Sequence, residues 1–156
     1  MTILGLPMEF RIGDAKALAT AFQSLELEKL EALSQGGADF SLHLSPQDLD
    51  ALVEELCRAA GHEMLAFTDV ARQLLAGDRA ESGVFLISGT FVLMVASIPD
   101  DSASEIAERW MGRVAEECEE PDIVATAETV VAVSELIRIC RKAGVEDLDL
   151  VYCWSL

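Results

Sequence analysis

The sequence predicts an α+β domain, helix-rich with about five or six helices packed on a small sheet that includes the C-terminal strand. Three observations carry this expectation. At 156 residues, 51% of them hydrophobic, the chain suits one core without metals or disulfides. Segments of helical period alternate with short runs of strand period. No linker, repeat or low-complexity tract divides residues 1–156, so a single domain is expected.

The elements follow in order. Residues 8–12 suit a short strand, and Gly13 then leads to Asp14, an N-cap for a helix burying Leu18, Ala19, Phe22 and Leu25. The spacing of Leu25, Leu27, Leu30 and Leu33 is shifted, which fits either one helix to Ser34 or two shorter ones, ended by Gly36-Gly37. Residues 38–44 alternate cleanly, with Phe40, Leu42 and Leu44 on one face, and read as a half-buried strand. Ser45-Pro46-Gln47-Asp48 opens a helix with a buried stripe of Leu49, Leu52, Val53, Leu56, Cys57 and Ala60, closed by Gly61.

A second helix is expected over 63–76, with Phe67, Val70, Ala71, Leu74 and Leu75 inward. Residues 84–88 read as a buried strand. Residues 89–98 are apolar on both faces and fit either a hairpin strand or a buried helix capped by Ser88. The clearest amphipathic helix spans 102–120, opened by the capping box Ser102-Ala103-Ser104-Glu105, with Trp110, Met111, Val114 and Cys118 in its inner stripe. A helix over 126–143 ends at Gly144, and an apolar strand over 148–154 completes the fold.

Charge is the most unusual property. Twenty-eight acidic against eleven basic residues give a formal net charge of −17. Such a field opposes nucleic acid and anionic membranes and favours a basic protein partner. Residues 99–122 hold nine acids and two arginines, and residues 24–63 nine acids with Lys29 and Arg58, a net of −7 each. If these helices lie side by side, they form one acidic face.

The candidate binding residues on that face are Glu105, Glu108, Glu116, Glu117, Glu119, Glu120 and Asp122. The glutamates of 116–120 oppose the negative end of their own helix dipole, which costs about 0.3–1 kcal/mol each. Tyr152 and Trp154 alternate with Val151 and Cys153, so one pair faces the core and the other solvent or a partner; Tyr152 and Trp154 are added as candidate contacts because such residues are enriched in binding hot spots.

Enzymatic motifs are missing. No phosphate-binding loop or nucleophile elbow occurs, and His62-Glu63 lacks the second histidine of H-E-x-x-H because position 66 is Ala66. Asp39, Ser41 and His43 share one strand face, where parallel side chains about 6.6 Å apart do not make a triad. Cys57, Cys118, Cys140 and Cys153 form no C-x-x-C pair, and Cys118 among glutamates lacks the electropositive setting a reactive thiol needs. No catalytic residue, metal ligand or cofactor is assigned.

The apolar run of 82–99 is shorter and more interrupted than a membrane span, and the N-terminus lacks the pattern of a signal peptide, so a cytoplasmic location is expected. The expected function is non-enzymatic binding of a basic protein, most concretely by an immunity protein or antitoxin that neutralises a toxin. Its rivals are a small enzyme or ligand-binding domain with a pocket hidden from sequence, and a homodimer paired through the last strand or the Leu25–Leu33 segment.

Overall fold

A computed structural model describes residues 8–40, 46–77 and 82–155. A helical layer packs on one face of a five-stranded antiparallel sheet, and two short helices cover part of the other. The strands are β1 (Met8–Gly13), β2 (Gly36–Asp39), β3 (Ala71–Gly77), β4 (Ser82–Ile87) and β5 (Asp149–Ser155), in the order β2-β1-β5-β4-β3. The helices are α1 (Ala15–Gln23), α2 (Leu27–Leu33), α3 (Pro46–Ala60), α4 (Phe67–Val70), α5 (Gly89–Ala96), α6 (Ala103–Cys118) and α7 (Ala127–Glu146). This is the α+β class expected, with more helices than expected.

Alternation along the central strands sorts the two faces. Met8, Phe10 and Ile12 of β1 pair with Trp154, Tyr152 and Leu150 of β5, and all six join the main core. Val151 and Cys153 point the other way, into a smaller cluster with Leu18 and Phe22 of α1. Asp14 caps α1 by accepting from the Ala17 amide at 2.9 Å. The Leu25–Leu33 ambiguity resolves into two helices, broken at Leu25, which adopts a left-handed φ of 58°.

Several expectations need correction. The helix placed over 63–76 is mostly strand: only α4 is helical, and β3 follows it directly. Register shifts between Ala71 and Gln73 and between Leu74 and Ala76 break its pairing with β4. Bulges of this kind erase the period of two, so its apolar residues mimic helical spacing. Strand β2 begins at Gly36, not Ala38, and ends at Asp39; the remainder expected, 41–44, lies outside the described residues. Gly36 is in the strand through its pairing with Ile12 of β1, and a Cβ there would stand 3.1 Å from the Ile139 side chain of α7, so a larger residue requires that side chain to shift.

Residues 89–98 take the helical alternative, with Ser88 Oγ accepting from the Thr90 amide. Ser102 does not cap α6, since it sits in a 3-10 turn, Asp100–Ser102, in helical conformation and without a capping bond. Helix α7 runs through Gly144 to Glu146 and stops at Asp147, whose φ of 57° takes the left-handed role expected of the glycine.

Candidate functional site in the acidic face of α3 and α6

The two acid-rich segments meet only where α3 packs against α6; Glu26, Glu28 and Glu31 of the first segment lie on α2 and its cap, against the other face of the sheet, so the two segments do not form one continuous acidic face. Trp110 fixes the contact, fully buried and donating Nε1–H to the Asp48 carbonyl at 2.8 Å, while its ring stands edge-on to Phe40. It is core, as its place in the helical stripe implies. Arg113 makes the second link. It donates to Glu54 at 3.1 Å, to Glu55 Oε2 at 3.2 Å and to the Ala51 carbonyl at 3.5 Å. Burial lowers the pKa of its guanidinium, but the hydrogen bonds and charges of Glu54 and Glu55 outweigh this, and the net shift is upward.

Glu55 is the most enclosed acid of the interface, only 4% exposed. Its Oε2 is held by Arg113, whereas its Oε1 is buried and has no hydrogen-bond donor among the described residues. The Arg58 Nε lies 3.5 Å from that oxygen, within ion-pair range. Beside it opens a cleft of about 250 Å³, lined by Glu55, Arg58 and Ala59 of α3 and by Glu105, Ile106 and Arg109 of α6, with Ser102 at its edge. Arg109 is tied to Glu105 by two hydrogen bonds of 2.7 and 3.0 Å, the i,i+4 pair its sequence spacing implies.

The arrangement differs towards the C-terminal end of α6. Glu108, Glu116, Glu117, Glu119, Glu120 and Asp122 are all exposed, and none forms an ion pair with a described residue. Glu119 closes the helix with a left-handed φ of 54°, a conformation that favours glycine over a branched-out side chain. Cys118, expected in the inner stripe, is exposed beside it, because the stripe ends one turn earlier at Val114.

The structure therefore groups Glu105 with the cleft and places Glu108, Glu116, Glu117, Glu119, Glu120 and Asp122 on exposed surface. It removes Tyr152 and Trp154 from the candidate contacts, because they are 2% and 8% exposed. Both faces of β5 are covered, Tyr152 and Trp154 by the helical layer and Val151 and Cys153 by α1. Both edges are also filled, by β1 and β4, so β5 offers no edge to a second copy. Ser41 and His43 lie outside the described residues, and the His62 Nδ1 lies 2.9 Å from the neighbouring Glu63 carbonyl oxygen.

Glu54, Glu55, Arg58 and Arg113 were not singled out from the sequence. Asp48 and Glu55 lie seven residues apart, flanking Leu52 on the same side of α3, and that spacing beside a fully buried leucine was the available signal. Among the described residues no three His, Cys, Asp or Glu side chains group as a metal site, and no helix is long and apolar enough to cross a membrane. Comparisons with protein-family models, curated proteins and solved structures find no match.

Proposed function

We propose that the chain is a non-enzymatic binding protein whose α3/α6 face meets a basic protein partner, most concretely as an immunity protein or antitoxin against a cationic toxin. The observation that carries the reading is the exposed acid cluster of Glu116, Glu117, Glu119, Glu120 and Asp122, left without ion pairs to described residues. Carboxylates held against a helix dipole, one of them in a left-handed backbone, work against the stability of their own fold. Complementary fields speed encounter and select partners, which gives such placement a use.

The test is capture from a native lysate at low and high salt, with wild-type protein and with a variant carrying E116K, E117K, E119K and E120K. The reading expects one basic protein retained by the wild type, released by salt and absent from the variant. It further expects that protein, expressed alone, to inhibit growth, and co-expression of the wild-type chain to restore it. An identical set retained by both chains contradicts the reading. A homodimer keeps support from Leu25 and Leu27, large apolar residues exposed at the α1–α2 turn; light scattering that finds only monomer removes it.

A further inference from the structure

We propose that the cleft between α3 and α6 is a socket for a guanidinium group, an arginine side chain of the basic partner, with Glu55 as its buried acceptor. This rests on the reading that the α3/α6 face meets a basic protein. A buried carboxylate oxygen normally has its hydrogen bonds filled, and Glu55 Oε1 does not. The Arg58 Nε beside it stands at 3.5 Å, too far for a good hydrogen bond, on a side chain that is 54% exposed. Arg58 therefore screens the acceptor without satisfying it.

A partner guanidinium that displaces Arg58 supplies the missing donor and, through its planar fork, a second donor to Glu105 across the cleft. Guanidinium suits the site better than ammonium because it is weakly hydrated and can bridge two carboxylates. Arg109 stays on Glu105 Oε1 and leaves that group's other oxygen for the ligand. The surrounding surplus of carboxylates sets the sign of the preferred ligand.

Methylguanidinium and acetate are the probes, titrated into the isotopically labelled full chain at constant ionic strength while amide resonances are followed. The proposal expects saturable shifts confined to residues 55–59 and 102–109 with methylguanidinium, and none with acetate. E55Q weakens that binding by about tenfold. R58A, at an exposed position where folding is not at stake, tightens it. Weaker methylguanidinium binding in R58A overturns the proposal, and saturable acetate binding overturns it in favour of an anion site built on Arg58 and Arg109. Unlocalised shifts, or a folded E55Q that binds as the wild type does, also overturn it. The socket and the wider face fail separately, since the lysate experiment alters only glutamates outside the cleft.

Discussion

The middle of the α3/α6 contact and the far end of α6 carry the same residue type in opposite circumstances. In the middle, Glu54, Glu55 and Glu105 are bound by Arg113 and Arg109, and Glu55 is almost wholly enclosed. At the far end, Glu116, Glu117, Glu119 and Glu120 face solvent with no described counter-charge. The first group is part of how two helices hold together. The second contributes nothing to that, so acidity in this chain has a structural share and a share that no contact with a described residue uses.

The largest expected effect breaks the structural share. Arg113→Ala leaves Glu55 buried with neither oxygen hydrogen-bonded to an arginine and is expected to cost about 2–4 kcal/mol, read from the urea midpoint. Arg113→Lys restores the charge without the two-pronged contact and recovers only part of the loss. A loss as small as that of an exposed ion pair, below about 1 kcal/mol, would make the two regions alike after all.

Alkaline titration separates both regions from the core they rest on. Burial, with a smaller contribution from Glu9, pushes the Cys153 thiol from 9.0 up to about 12, and burial also raises Cys140 and Tyr152. Unfolded, the thiols ionise near 9.0 and the phenol near 10.0. The folded chain then holds more protons, so stability is full below pH 9 and falls as the pH rises, by about 1.4 kcal/mol per pH unit for each group. A flat profile from pH 9 to 11 would mean that these groups are not buried as described.

At the far end of α6 the expected signs reverse. Glu119→Gly relieves the left-handed backbone and removes a carboxylate from the negative helix end, so a gain of about 1 kcal/mol is expected. Neutralising Glu116, Glu117 and Glu120 to glutamine relieves the same unfavourable contact with the helix end, and a gain of about 0.3–1 kcal/mol for each is expected. Cys118 sharpens the same contrast without touching charge. A thiol reagent is expected to label it alone in the native chain, and all four cysteines only after denaturation.

Much of the fold was legible because it follows local rules. The Asp14 cap, the α3 stripe and the Trp110 stripe are written in spacing that one helix reads by itself. The β3 segment was not, because two register shifts hide its alternation and only its partner β4 reveals it as a strand. Tyr152 and Trp154 misled for a related reason. Alternation shows that two faces exist, but only the docking of α1 on the far side shows that both are covered. The acidic end of α6 was visible as a run of charge, whereas the Glu55 cleft depends on which helix lies opposite α3 and no spacing within α3 contains that.

The most direct test of the recognition role compares two charge-matched variants in the same capture experiment. One reverses Glu116, Glu117, Glu119 and Glu120, and the other reverses Glu26, Glu28, Glu146 and Asp147, on α2 and its cap and at the opposite end of α7. Both have the same net charge. If the α6 end is the recognition surface, only the first variant loses the basic partner, and the second binds with an affinity within a few-fold of the wild type. Equal loss in both variants would show that the partner senses overall charge, and the claim for this face would fail.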